Sequence, residues 1–164
     1  MSAARVLVVG VGNPDRGDDG IGPRVVRQLR GRVPPDVAIL ERSGDALALI
    51  DDWEGRDAVI LVDAAAPCGT PGQIHRIDLL KDPLPPELTL SSTHGFGVAE
   101  AVGLADALDL LPAQVIAYAI EGINFEQGEP ISAEVAAVTN EAADRIAAEL
   151  QLLDRHLAGE SDHA

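Results

Sequence analysis

Between Gly10 and Gly22 the chain reads GVGNPDRGDDGIG, a glycine-rich turn carrying three aspartates, Asp15, Asp18 and Asp19. Carboxylates in such a turn offer oxygen ligands to a cation, or a general base. Two more residues have the right chemistry at the right kind of place. Asp63 closes the apolar run VILVD, and a lone acid at the end of a buried strand is costly unless it is paired, hydrogen-bonded to a loop, or coordinated. His94 sits in SSTHGFG, just where a helix is expected to begin. There the helix dipole disfavours the imidazolium and leaves a neutral ring able to bind metal. Two carboxylates and one imidazole suit a first-row divalent ion such as nickel or zinc.

Two other accounts of the first loop compete. A glycine turn between a first strand and a first helix suggests a dinucleotide site, whose GxGxxG spacing lets a pyrophosphate rest on the helix N-terminus. Gly10 and Gly12 fit, but position 15 is Asp15 and the next glycine is Gly17. Three carboxylates would also oppose the pyrophosphate, and Glu41 lies too far along to serve as the ribose-binding acid. The second account is helix capping, which uses one of Asp18 and Asp19 and leaves the other to face the sheet edge. Elsewhere His75, His156 and His163 look incidental, and Cys68 lies in a turn with no base nearby in sequence. Ser43, Ser91, Ser92 and Thr93 have no nucleophile-elbow context.

These residues need a scaffold, and strands alternate with helices along the chain. Strands are expected at Arg5–Gly10, Asp36–Glu41, Ala58–Ala64 and Gln114–Ile120, all near-continuous apolar runs. Ala58–Ala64 is the most hydrophobic and hence central. Gln73–Leu79 alternates apolar with polar and reads as a half-exposed, antiparallel edge strand. Helices are expected with Pro23 in the first turn and Ile21, Val25, Val26 and Leu29 on the apolar face, over Ala46–Trp53, from a cap at Thr93 to about Leu110, and from a cap at Ser132 onward. The last carries Val135, Val138, Ala142, Ile146, Leu150, Leu153 and Leu157 at steps of three and four. Residues 1–157 are read as one domain and 158–164 as a loose polar tail. The alternation predicts a three-layer α/β/α sandwich around a mostly parallel sheet. Asp19, Asp63 and His94 then converge beyond the carboxyl ends of its strands.

Composition narrows the partners. Aromatic residues make up only 2 % of the 164, so the core must be built from Ala, Val, Leu and Ile. A formal charge of −15 opposes nucleic acid and anionic lipid, and favours a basic protein or a bound cation. No run approaches a membrane span, no signal or transit pattern precedes the first strand, and a single cysteine excludes an internal disulfide. A cytoplasmic setting is expected, with a monomer as the default because no apolar surface stripe stands out.

Four blocks together, VVGVGNPDRGDDGIGPRVV, ILVDAA, STHGFG and GINFEQGEPIS, resemble the hydrogenase maturation peptidases. The resemblance implies a phosphorylase/hydrolase-like sandwich. It also implies an endopeptidase that removes the C-terminal extension of a nickel–iron hydrogenase large-subunit precursor after nickel insertion. Asp19, Asp63 and His94 match the family's metal-binding positions, which read nickel supplied by the substrate rather than hold a permanent cofactor. Asp18 and Asp19 are the candidate catalytic acids, with Asp18 as the possible base. Asn13 and Glu41 are expected to border the substrate cleft. One departure falls at Glu41-Arg42-Ser43-Gly44, where many members carry an Asp-Gly-Gly-Thr loop. The acid survives, the glycine pair does not, and the identity of the substrate is what this touches. A non-enzymatic nickel-handling chaperone is the competing reading.

Overall fold

The computed structural model describes residues 5–43, 45–82 and 98–162. Five strands, β1 (Val6–Val11), β2 (Val37–Arg42), β3 (Ala58–Ala65), β4 (Ile74–Asp78) and β5 (Gln114–Glu121), form one sheet in the order β2-β1-β3-β5-β4. β2, β1, β3 and β5 are mutually parallel. β4 runs antiparallel on the edge beside β5, as its alternating pattern predicts. The most apolar segment, β3, occupies the centre and is buried along its whole length, because a central parallel strand is covered on both faces.

Helices cover those faces unequally. α1 (Ile21–Leu29), α4 (Ala133–Ala136) and α5 (Thr139–Asp162) pack on one side, burying Val25, Val26, Leu29, Ala142, Ile146 and Leu150 against Val6, Val8, Ile60 and Ile116. α2 (Ala46–Trp53) and α3 (Val98–Ala107) pack on the other, placing Leu49, Trp53, Ala101 and Ala105 over Leu7, Val9, Leu61 and Ala117. The alternation of strand side chains between faces assigns each residue to one layer or the other. This is the expected three-layer sandwich, and the four parallel strands deliver their carboxyl ends to a single edge. Among the described residues no helix is long and apolar enough to cross a membrane.

Three boundaries differ from the sequence reading. Ser132 occupies the N-cap position of α4, but its side chain makes no capping bond; its hydroxyl donates to Asp18 instead. The helix beyond it is broken, with α4 ending at Ala136 and α5 starting at Thr139. The Thr139 hydroxyl donates to the Ala136 carbonyl across that break. Finally, α5 continues to Asp162, past the tail expected from Ala158. No proline interrupts it, and Ala158 and Glu160 are good helix formers. The proposed cap at Thr93 lies outside the described residues.

Candidate active site at the carboxyl edge of the sheet

The loop leaving β1 is folded by glycines where the backbone demands them. Gly12 has φ 140°, and a Cβ there would meet the Asp19 carbonyl oxygen at 1.9 Å. At Gly22 a Cβ would lie 2.3 Å from the Val62 carbonyl oxygen and 2.5 Å from that of Val11. The start of α1 is therefore pressed directly onto β1 and β3. Between them Gly17–Gly20 form one 3-10 turn, which presents Asp18 and Asp19 side by side.

Those two neighbours turn opposite ways. Asp18 is fully buried and is filled with donors. Its Oδ1 accepts from the Ser132 amide at 2.7 Å. Its Oδ2 accepts from the amides of Ile123 (2.7 Å) and Asn124 (3.0 Å) and from the Ser132 hydroxyl (2.8 Å). Burial pushes the Asp18 carboxyl up, yet the Ile123, Ser132 and Asn124 amides and the Ser132 hydroxyl outweigh it and hold the pKa below its usual value. Asp19, only 1 % exposed, accepts the Asn13 amide at 2.9 Å and faces the Arg16 guanidinium at 3.6 Å. Arg16 in turn lies over the Phe125 ring, 5.9 Å from its centre.

Neither aspartate caps a helix, contrary to the capping expectation. The position before α1 is Gly20, and neither α1 nor the 3-10 turn has a side-chain cap. The extra turn places both carboxylates upstream of where a cap would act, so Asp18 reaches the 123–132 loop and Asp19 the sheet edge.

Asp63 lies near the carboxyl end of β3 on the α2/α3 face and is 2 % exposed. Its Oδ1 accepts from the Ala64 amide at 2.8 Å. Burial pushes its pKa well up, and the negative charge of Asp19 adds to the rise. Two acids thus meet at one buried edge, where they repel as carboxylates and are relieved by a proton or a cation. Their oxygens suit a divalent first-row ion. His94 lies outside the described residues.

The other expected residues are placed as follows. The Asn13 side chain folds back to accept the Asp15 amide at 2.9 Å, while its own amide orients Asp19. Glu41 lies on the α1 side of β2, gripped by Arg27 at 2.8 and 3.2 Å, with Arg30 at 3.6 Å. The Arg27 bond holds the Glu41 carboxyl below its usual value against a smaller effect of burial. The structure therefore brings Asp19 to Asp63, and leaves Glu41 on the opposite face of the sheet. His75 stands opposite Ala119, which stands opposite Asp63. It therefore shares the Asp63 face from two strands away, about 10 Å by strand spacing. Cys68 is exposed, its thiol donating to the Ala66 carbonyl.

One acid was missed in the sequence. Glu121, 1 % exposed, ends β5 on the Asp63 face and accepts the Thr70 amide at 2.6 Å. It closes the apolar run VIAYAIE just as Asp63 closes its own, so the same rule would have found it.

Comparison with known proteins decides the family. A sequence model of the hydrogenase maturation protease family, HycI, matches residues 23–149. The chain belongs to that family. It is accordingly a hydrolase, an endopeptidase. Among relatives, it is 29 % identical to the hydrogenase expression/formation protein HupD of Bradyrhizobium diazoefficiens, over 98 % of this chain and 92 % of that one. It is 28 % identical to the hydrogenase 2 maturation protease of Escherichia coli, over 90 % and 91 % of the two chains. The fold is similar to that of the [NiFe] hydrogenase maturation protease HybD from Thermococcus kodakarensis, with a TM-score of 0.72 at 26 % identity, covering 89 % of this maturation protease and 98 % of that one.

Proposed function

We propose that this protease removes the C-terminal extension of a nickel–iron hydrogenase large-subunit precursor once nickel has been inserted. The observation that carries the reading is the pair of buried acids, Asp19 and Asp63, delivered to one strand edge, where burial first and the Asp19 charge second push the Asp63 pKa up. Nickel arrives with the substrate, and Asp19, Asp63 and His94 coordinate it there. That contact docks the extension across the carboxyl edge, and the ion polarises the scissile carbonyl or a water. A protein that keeps no metal of its own reports by this contact whether the precursor is loaded.

Within this reading Asp18 is a positioning residue and not the base. Its oxygens are engaged by four donors and its pKa is lowered, both of which oppose proton abstraction. Asn13 aligns Asp19 through its amide, and Arg16 neutralises part of its charge. Glu41 borders the cleft as the fixed end of β2, its reach restrained by Arg27. The reaction takes place in the cytoplasm, where the exposed Cys68 stays reduced.

The deciding experiment compares the intact mass of nickel-loaded and nickel-free precursor before and after incubation with the protein. Loss of a short C-terminal peptide from the loaded form alone is expected, and His94→Ala should abolish it with little change in Tm. Precursor that binds yet keeps its full mass would replace the peptidase with a chaperone.

A further inference from the structure

The outer surface of α2 and α3 is apolar where a surface should be polar. Leu47 is 68 % exposed, Leu108 54 % and Leu104 38 %. Leu104 and Leu108 are one helical turn apart and lie on one side of α3 and its last residues. Between α2 and α3 a cavity of about 190 Å³ opens against Asp45, Ala46, Leu47 and Leu104. Beside Leu104, Gly103 is exposed, and among the described residues a side chain added there would meet nothing within 4 Å.

The charges around this groove are mainly of one sign, although Arg56, just after α2, donates to the Asp52 carbonyl at 3.3 Å. Neither α2 nor α3 contains a lysine or arginine, while Asp51, Asp52, Glu100 and Asp106 lie on them. The nearest cation on β2, Arg42, is spent on Asp52 at 2.6 and 3.0 Å. The opposite face mixes both signs, through Arg27 with Glu41, Arg32 with Asp144 and Arg145 with Glu141. An apolar groove between two helices that carry acids and no cation fits an apolar segment flanked by lysine or arginine. A second copy of this chain, itself at −15, would meet repulsion there.

Position suggests which basic protein this is. α2 begins directly after β2 reaches the carboxyl edge, and its face is the face of Asp63. We infer that the Leu47–Leu104 groove, with exposed Leu108 one turn beyond it, is an exosite for a basic, apolar surface segment of the hydrogenase precursor, distinct from the extension being cut. This rests on the proposed function. Binding there holds the precursor while its nickel site and extension engage the edge, and it adds affinity that is equal in ground and transition states.

The test uses the full-length protein and nickel-loaded precursor, following KM and kcat by intact mass. Leu47→Asp/Leu104→Asp should melt like the parent, since both residues are at the surface. It should raise KM about tenfold with kcat nearly unchanged. Asp51→Lys/Asp106→Lys should also raise KM and flatten its dependence on salt. Glu141→Lys/Asp144→Lys, the same charge change on α5, should leave KM where it was. An unchanged KM in the leucine variant, or a fall in kcat at constant KM, overturns the exosite. So does a parent dimer in sedimentation that the variant loses, which would give the groove to a second copy. If the parent binds precursor without cutting it, the peptidase reading fails, while the Kd of the same variants still decides the exosite. A parent that neither binds nor cuts overturns both.

Discussion

The two faces of the sheet are built to different standards. On the α1/α5 face, Glu149 of the long helix accepts from the Tyr118 hydroxyl and takes Arg76 in two bonds of 2.6 and 2.8 Å. Arg27 and Arg30 fasten α1 to Glu41 of β2. On the α2/α3 face two short helices lie over the sheet, leucines point outward, and two acids, Asp63 and Glu121, are buried at the strand ends. Polar groups on the first face are paired with opposite charge or hydroxyl. On the second, Asp63 is set against the like charge of Asp19. Opposite charges are paired on one side of the molecule, and on the other two acids are buried near each other at the strand ends.

Three substitutions sharpen or break that contrast. The largest effect is expected from Asp63→Asn, which should lower kcat/KM on loaded precursor about a thousandfold or more, roughly 4 kcal/mol. The same change should raise Tm. Because the folded state lifts the Asp63 pKa, its deprotonation destabilises the fold as pH rises through the ordinary carboxylate range towards the lifted value. A neutral amide removes that cost, by about 1 kcal/mol or roughly 2–4 °C. Full activity with a lower Tm would place Asp63 among the structural residues and erase the contrast.

Next comes Asp18→Asn. Exchanging one carboxylate oxygen for an amide nitrogen turns an acceptor towards backbone donors, at a cost of about 2–3 kcal/mol in urea unfolding. Activity should fall only as far as the loop loosens. Loss of activity at unchanged stability would return Asp18 to the chemistry.

The smallest effect belongs to Glu149→Gln, about 1 kcal/mol at neutral pH with cleavage unchanged. Burial opposes ionisation of Glu149, but the bonds from Arg76 and Tyr118 outweigh it and lower its pKa from the ordinary 4.5. Its contribution is therefore whole above 4.5 and disappears as pH falls through the lowered value. The denaturation midpoints of parent and variant should converge on acidification. A gap that persists into strong acid would mean that the pair does not act through charge.

Much of this was readable beforehand where one periodicity controlled one element. The apolar run of β3 marked it as central, and the alternation in β4 marked it as an edge strand. α2 begins and ends at Ala46 and Trp53 as expected, with Asp45 capping it through the Leu47 amide. What was not readable involved partners distant in sequence. Ser132 looks like a cap locally, and only the fold brings Asp18 close enough to claim its hydroxyl. Glu41 reads from the sequence as a free acid at the cleft, and only the fold shows Arg27 of α1 laid across it. The exposed leucines escape notice because α2 and α3 each contribute part of the patch and neither shows a stripe alone. Of the three metal positions expected from the sequence, Asp19 and Asp63 are neighbours in the fold, and His94 lies outside the described residues.

The bonds from Ser132 to Asp18 join residues 114 apart in sequence. All five strands have left the ribosome before Ser132 has, so the sheet can close while the Asp18–Asp19 turn still lacks the partner that sets it. The turn that presents Asp18 and Asp19 is therefore completed late, by the loop that follows the last strand.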